Sequence, residues 1–196
     1  MQRKAAIVAI AAASALCGCG LGASPPATFD LEAPAVSKVQ GTRAVQLTIN
    51  PPNAIKTIDT DEILVKGANG RVAYLSGVAW GDRLPRLFQA RLVEAFANSG
   101  AFRAVLTNQD RVSGDLSLSI EIRDFEVETA GGGSNAFIDV YVKLVDERNN
   151  TVMTTKTFQA RRNAASEEPN AGIHALNAAF QQVALEIVSW VSRRSA

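Results

Sequence analysis

Residues that could carry out covalent or acid–base chemistry are scarce in this sequence. His174 is the only histidine, and the two cysteines, Cys17 and Cys19, both fall near the start of the chain. Ser-His-Asp and Cys-His catalysis would each require His174, and a single histidine within a helical pattern is usually structural or exposed to solvent. The sequence therefore predicts a protein that has no catalytic centre and needs no cofactor.

Metal and phosphate sites are weakly indicated as well. The run Asp59-Thr60-Asp61-Glu62 could hold Ca²⁺ weakly, but it is more typical of an acidic turn before a strand. The segment Gly131-Gly132-Gly133-Ser134 lacks the Lys-Ser or Lys-Thr pair of a phosphate loop and does not open a helix. We interpret these four residues as a mobile connection between strands, and no metal site is predicted.

The chemistry open to the cysteines depends on the residues before them. Residues 2–4 include an arginine and a lysine, and residues 5–16 are largely apolar, which is the pattern of a secretory signal. The apolar run is shorter than the roughly 20 residues that a helix needs to cross a bilayer. Leu16-Cys17-Gly18-Cys19 resembles the lipobox of bacterial lipoproteins, in which the cysteine after the cleavage point, here Cys19, is acylated.

The cleavage point and the destination leave alternatives open. Cleavage before Cys17 would put the bulky Leu16 where a small residue is required, so Cys19 is the better candidate. The alternatives to a lipoprotein are a plain secretory signal and a cytosolic chain with an apolar start. Gly20 and Leu21 supply no acidic residue of the kind that retains lipoproteins in the inner membrane of enteric bacteria. This favours a lipid anchor in the outer membrane, with the protein facing the periplasm.

The chain divides into three predicted parts. Residues 1–18 form a signal peptide, residues 19–28 a lipidated tether, and residues 29–196 a single periplasmic domain. Within this tether, the segment from Gly20 to Ala27 reaches about 25 Å when it is fully extended. An apolar content of 47%, a charged content of 20% and a net charge of +1 argue against disorder and against a nucleic-acid partner. Because both cysteines lie in the lipobox, no disulfide is predicted.

Three long alternations of apolar and polar residues dominate the second half of the chain. They cover residues 114–128, 136–146 and 152–161, and they predict an antiparallel meander with one buried face. The first alternation slips by one residue near Arg123 and Asp124. Since such a slip would turn the later apolar residues to the opposite face, it predicts a β-bulge there.

Shorter strands and two helices complete the predicted fold. Short strands are expected at residues 29–31, 44–50 and 103–107, and Asn69-Gly70 predicts a hairpin between residues 62–66 and 71–75. We expect Asp82 to cap an amphipathic helix that ends at Ser99-Gly100, and a second helix to follow Ser166. The predicted class is α+β: a mixed, largely antiparallel sheet of about six or seven strands, with two amphipathic helices on one face.

Several local motifs follow Cys19 in a recognisable order. They are Phe29-Asp30-Leu31, Ile63-Leu64-Val65, Trp80 before the first helix, Gly100-Ala101-Phe102 after it, Gly114-Asp115-Leu116, Asp124-Phe125-Glu126, and Trp190 in the last helix. This order resembles the ABC-type transport auxiliary lipoproteins, the third component of envelope systems that pair an ABC transporter with a mammalian-cell-entry (MCE) domain protein. The resemblance implies a non-catalytic protein that helps to move phospholipid or other hydrophobic compounds between the inner and outer membranes.

The resemblance also implies a partner and a mode of action. We expect the protein to bind an MCE-domain protein through the segment from Gly131 to Ser134 and the sheet edge beside it, and a homo-oligomer would suit the ring that MCE proteins form. Trp80 and Phe88 are expected to be structural. Arg161-Arg162 and Arg193-Arg194 could meet anionic lipid headgroups or simply end their elements in solvent. The alternative functions are an adaptor for another envelope-assembly machine and a periplasmic lipid carrier or hydrolase.

Overall fold

The computed structural model describes residues 25–38, 43–130, 133–166 and 168–194. The signal peptide, Cys17, Cys19, most of the tether, Gly131 and Gly132 lie outside the described residues. The strands are β1 (Ala27–Phe29), β2 (Arg43–Ile49), β3 (Asn53–Ala54), β4 (Glu62–Gly67), β5 (Val72–Trp80), β6 (Phe102–Thr107), β7 (Leu116–Ala130), β8 (Gly133–Asp146) and β9 (Thr151–Asn163). The helices are α1 (Leu84–Ser99) and α2 (Pro169–Arg194).

The predicted α+β class is confirmed. The described strands form one mixed sheet, and its two longest ladders, β7–β8 and β8–β9, are antiparallel. The sheet has more strands than the six or seven predicted. β3, of two residues, is too short to leave a pattern in the sequence, and β1 lies at residues 27–29 rather than at the expected 29–31. Neither α1 nor α2 is both long and apolar enough to span a membrane.

The predicted meander and its bulge are both present. β7 pairs with β8 from Leu116 to Ala130, and the register shifts between Ile122 and Asp124. The bulge keeps the apolar residues on one face, so Ile122 and Phe125 are each only 1% exposed although the alternation slips between them. The interpretation of residues 131–134 as a connection is wrong for Gly133 and Ser134, which pair with Ala130 and Thr129 as the first residues of β8.

The other side of β7 is shared by three short strands that run parallel to it. β2 pairs at Leu116 to Leu118, β3 at Glu121 and Ile122, and β4 at Val127 to Thr129. β7 is therefore the central strand of the sheet, with β8 along one side and a series of N-terminal strands along the other. Beyond these, β6 pairs with β2, and β5 pairs with β4 and β1.

The β4–β5 hairpin is confirmed, but its second strand is longer than predicted. Gly70 takes a φ of 76°, and the Gly67 amide donates to the Arg71 carbonyl at 2.8 Å. β5 continues to Trp80 rather than ending at Leu75. Gly77, with a φ of 74°, lets the strand continue through a conformation that a side chain would disfavour. The dipeptide Ser76-Gly77 is itself more typical of a turn than of a strand.

Helix α1 begins differently from the prediction and ends as predicted. Asp82 does not cap it; Arg83 is the N-cap residue and makes no side-chain cap hydrogen bond. Instead, the Leu84 amide donates to the Thr60 carbonyl at 2.9 Å, so a neighbouring loop satisfies a helix-end donor. At the other end, Gly100 forms the left-handed cap with a φ of 63°.

Both helices cover the same face of the sheet and share one core. Phe88 of α1 meets Phe180 of α2 edge to face, with ring centroids 5.1 Å apart. Trp80, which is 2% exposed, packs edge to face on Phe125. A Cβ added at Gly172 would lie 3.1 Å from a Val127 methyl group, so α2 approaches β7 closely at this position. This packing leaves the opposite face of the sheet without helices.

Candidate functional site: the open face and the outer edge of the sheet

The face of the sheet opposite the helices, called here the open face, is polar and partly exposed. Strand alternation fixes this arrangement: buried residues of β8 face the helices, and the residues between them are half-buried on the open face. The bulge in β7 preserves the division. The open-face residues of the two strands are Ser119, Glu121, Arg123, Asp124, Glu126 and Glu128 in β7, and Phe137, Asp139, Tyr141 and Lys143 in β8.

A carboxylate is buried on this face beside a single lysine. Glu126 is 2% exposed, and its Oε1 accepts from the Lys66 Nζ at 2.8 Å. The same ammonium lies 3.3 Å from the Asp124 Oδ1. Burial raises the pKa of Glu126 above its ordinary value, an effect that the hydrogen bond from Lys66 partly opposes. That hydrogen bond also raises the pKa of Lys66.

Cations cover the aromatic rings of the open face. The Arg161 guanidinium pairs with Glu128 and lies 4.0 Å from the centroid of the Phe137 ring. The Arg123 guanidinium lies 4.5 Å from the centroid of the Tyr141 ring, and the Lys143 ammonium lies 5.7 Å from it. These contacts place positive charge beside both rings of the open face.

A shallow groove of about 440 Å³ lies on the open face and is lined by residues of β3, β7 and β8. Its rim includes Ile55, which is 63% exposed, and its floor includes Tyr141 with the two cations beside it. Among the described residues, no group of three or more histidine, cysteine, aspartate or glutamate side chains is placed to hold a metal ion. The groove can therefore offer a ligand hydrogen bonds, charge and one apolar rim.

Of the candidate lipidation and docking residues named from the sequence, only Gly133 and Ser134 are among the described residues. Cys19, Gly131 and Gly132 lie outside the described residues, whereas Gly133 and Ser134 begin β8 at one end of the meander. The Ser134 carbonyl accepts from the Ala164 amide at 2.9 Å. His174 is exposed on α2, and among the described residues it belongs to no group of three or more side chains that could hold a metal ion.

The acidic run at residues 59–62 has a structural role. The Asp61 carbonyl accepts from the Trp80 amide at 2.7 Å, and Asp59 pairs with Arg83 at the start of α1. The Thr60 carbonyl accepts from the first helical amide of α1. The run therefore joins the end of β5 to the beginning of α1, as an acidic turn before a strand would.

Sequence reasoning predicted β9 but not its place at the edge of the sheet. Within the described residues, β9 pairs with β8 alone, and it is 13 residues long. Val152 and Met153, near its start, are 55% and 47% exposed. The strand contains Lys156, Arg161 and Arg162 but no carboxylate. This one-sided charge is visible in the sequence and could have marked β9 as a distinct surface.

Comparison with known proteins places this architecture in a family. The model of the ABC-type transport auxiliary lipoprotein component family matches residues 28–188, which take in the strands β2 to β9, helix α1 and most of α2. The chain belongs to this family. The family is described as an auxiliary lipoprotein component of ABC-type transport.

Individual relatives agree with the fold. A protein of Xanthomonas campestris with a known crystal structure is 28% identical, with a TM-score of 0.71 over 86% of this chain and 93% of that one. An uncharacterised protein of Bradyrhizobium diazoefficiens is 29% identical over 83% of this auxiliary lipoprotein chain, which spans only 44% of that relative's length. A hypothetical protein of Chlamydia trachomatis, 13% identical, shares the fold with a TM-score of 0.55 over 76% of this chain and 96% of its own.

Proposed function

We propose that this auxiliary lipoprotein serves an envelope system in which an ABC transporter works with an MCE-domain protein, and that the system moves phospholipid or another hydrophobic compound between the inner and outer membranes. The family match over residues 28–188 carries the proposal. In such a system the ABC component supplies the energy, so an auxiliary protein needs to bind and position its partner rather than to catalyse. A charged open face and an exposed strand edge suit binding.

The proposed anchor is Cys19, acylated and held in the outer membrane. Several acyl chains, each stabilised by about 0.8 kcal/mol per buried CH₂, hold a protein firmly, whereas one chain anchors it only marginally. The tether before β1 then keeps the domain within about 25 Å of the membrane surface. Replacing Cys19 with serine should leave the protein unanchored or unprocessed. The intact mass of the mature protein decides the point, because a mass equal to that of the bare chain would overturn lipidation.

The proposed docking elements are the segment from Gly131 to Ser134 and the sheet edge beside it. Asn163, the last residue of β9, pairs with Asn135, so the end of the outer strand lies close to Ser134. A partner that forms a closed ring repeats its surface once per subunit. Several copies of this protein would bind such a ring more tightly than one, because linked copies raise the effective concentration without any new contact. We therefore propose a homo-oligomer at the outer membrane.

The test is retention of the cognate MCE-domain protein by the full chain purified in detergent, together with the mass of the detergent-solubilised assembly by light scattering. We expect retention and a mass of several copies. A strict monomer that retains nothing at micromolar concentration, a limit of about −8 kcal/mol, would overturn the docking mechanism. Retention by an outer-membrane assembly complex instead of the MCE protein would identify the alternative role of an adaptor.

A further inference from the structure

The sheet has four strands that each pair with a single neighbour, and they differ in length. Within the described residues β1 pairs only with β5, β3 only with β7, β6 only with β2, and β9 only with β8. β1 has three residues, β3 has two and β6 has six, whereas β9 has 13. A strand that pairs on one side carries a row of unpaired N–H and C=O groups that can accept another strand. β9 offers by far the longest such row.

The charge of β9 restricts what can pair with it. Of its three cations, only Arg161 pairs with a carboxylate in the described part of the chain, namely Glu128. The Lys156 ammonium lies instead 4.7 Å from the centroid of the Phe158 ring, and an Arg162 Nη1 donates to the Arg161 carbonyl. A second copy of β9 would bring the same positive charge, so this edge disfavours pairing with itself.

Helix α2 extends the positive surface beside the strand. Phe158 meets Trp190 of α2 edge to face at 5.6 Å, and the Arg194 guanidinium lies 5.9 Å from the centroid of the Trp190 ring. Arg193 and Arg194 form the last turn of this helix. The edge therefore combines the unpaired backbone of β9 and its Lys156 with Arg193 and Arg194 of α2. These cations lie near the packed rings of Phe158 and Trp190.

The positions of the unneutralised cations define the partner further. Lys156 and Arg162 are six residues apart, so strand alternation places both on the side of the sheet that α2 covers. Residues opposite one another on paired strands point to the same face. A strand bound along β9 can therefore meet both cations with two carboxylates that are also six residues apart.

We infer that the outer edge of β9 accepts an extended, acidic segment of a protein partner by strand addition, with two acidic residues six positions apart facing Lys156 and Arg162. The inference rests on the proposed function, since the MCE-domain protein is the partner that would supply this segment. Main-chain hydrogen bonds give such a complex its affinity, and the carboxylates give it specificity and register. An anionic membrane would attract the same cations but would leave the backbone row of β9 unpaired, so the length of the edge favours a peptide.

The first experiment uses the full chain in detergent and three fluorescent peptides of about nine residues. One is rich in threonine and valine and carries two glutamates six positions apart; the second has lysines in their place; the third keeps the glutamates but is N-methylated at alternate residues. We expect binding of the glutamate peptide and at least roughly tenfold weaker binding of the other two. Equal binding of the N-methylated peptide would show charge attraction without strand addition and would overturn the inference.

The second experiment reverses the charge of the edge. Combining Lys156→Glu with Arg162→Glu should weaken binding of the glutamate peptide at least roughly tenfold. The same double variant should bind the lysine peptide more tightly than the unaltered chain does. The matched control combines Arg71→Glu with Arg86→Glu, two exposed cations on the β4–β5 turn and on α1, and should leave both affinities unchanged. Equal losses in the two double variants would overturn the inference, as would charge-dependent binding to phosphatidylglycerol vesicles without peptide binding.

Retention of the cognate MCE-domain protein separates this inference from the proposed function. If the unaltered chain retains that protein and the Lys156→Glu, Arg162→Glu variant retains it equally well, the proposed function stands and the docking edge is wrong. Loss of retention in that variant but not in the control supports both. If the unaltered chain binds the glutamate peptide but not the MCE protein, the proposed function is overturned and the strand-accepting edge is supported.

Discussion

The two faces of the sheet are made by the same strands and are stabilised in different ways. On the helix-covered face, apolar side chains from β7, β8 and both helices exclude water, as the contact of Phe88 with Phe180 illustrates. On the open face, cations lie on aromatic rings and beside carboxylates, as Arg161 does with Phe137 and Glu128. The first face owes its stability to buried area, whereas water screens most of the interactions on the second.

The contrast teaches where stability and recognition are separated in this fold. Buried residues on the helix-covered face can change little without loss of packing, whereas most residues of the open face and the exposed cations of β9 are not part of the core. Glu126 is the exception among the charged residues described on this face, because it is only 2% exposed. Its carboxylate therefore bears the desolvation cost of burial although it lies on a polar surface.

The largest expected effect lies on the helix-covered face. Phe88→Ala and Trp80→Ala should each lower the free energy of unfolding by about 3 to 5 kcal/mol, because each leaves a cavity among aromatic neighbours. Urea unfolding measures the loss. Ile55→Ala, at a residue 63% exposed on the open-face groove, is the control and should change little. Unchanged stability of the core variants with loss of partner binding would mean that these aromatics form a docking surface.

A smaller loss is expected where a charge is buried on the open face. Lys66→Met should lower the free energy of unfolding by about 1 to 2 kcal/mol, because Glu126 then keeps a buried carboxylate without its cation. The loss is below that of a fully buried pair since the Lys66 side chain is 39% exposed. The control is Lys143→Met, which removes another cation of the open face, the one beside Tyr141. If both variants lost equally little stability, the burial of Glu126 would have no measurable effect on the free energy of unfolding.

The pH dependence of stability gives the next comparison. The folded-state pKa of Glu126 is raised above its ordinary value of 4.5, so this group stabilises the fold at lower pH and that contribution is lost as pH rises from 4.5 through the raised pKa. Glu126→Gln should therefore gain stability relative to the unaltered protein as pH rises through that window. Unfolding by urea at a series of pH values measures the difference.

Asp110 supplies a control with the opposite sign. Hydrogen bonds from the Thr107 amide and hydroxyl lower its pKa below 3.8, so its contribution is present above that value and is lost as pH falls through the lowered pKa. Asp110→Asn should lose stability relative to the unaltered protein as pH rises from the lowered pKa to about 3.8, and the difference should stay constant above that value. The same sign for both variants would contradict the assignment of a buried carboxylate at Glu126.

The smallest effect is expected for an exposed cation on an aromatic ring. Arg123→Ala removes the guanidinium that lies 4.5 Å from the centroid of the Tyr141 ring and should cost about 0.5 kcal/mol. Added salt should reduce that difference, whereas the effect of Phe88→Ala should persist in salt. A loss comparable with that of a core variant would remove the distinction between the two faces.

Local patterns were enough to predict much of this fold. Alternation predicted the meander, the phase slip predicted the bulge between Ile122 and Asp124, and Gly100 predicted the end of α1. The errors arose where a nearby part of the fold replaced a local signal. Asp82 is not the cap because the Thr60 carbonyl serves α1, and Gly77 lies within β5 although its sequence resembles a turn.

Pairing between distant residues could not be predicted in the same way. Nothing near Lys66 in the sequence points to Glu126, 60 residues away, and the two meet because β4 lies parallel to β7. The order of strands also decides that β9 is an edge, although its lack of carboxylates is visible in the sequence. Composition therefore indicated the character of the candidate surface, and only topology gave its location.

The central position of β7 also bears on the order in which the chain folds. Its contacts with β8 begin at Ala130 and Gly133, close together in sequence, whereas those with β2 join Leu47 to Leu116 across the whole of α1. Closing the longer loop costs more entropy, so we expect the C-terminal meander to form first and the N-terminal strands to dock on it later. In the proposed export, which would begin at the N-terminus, the half that arrives last would then be the nucleus, and the earlier strands would have to be protected from aggregation until it emerges.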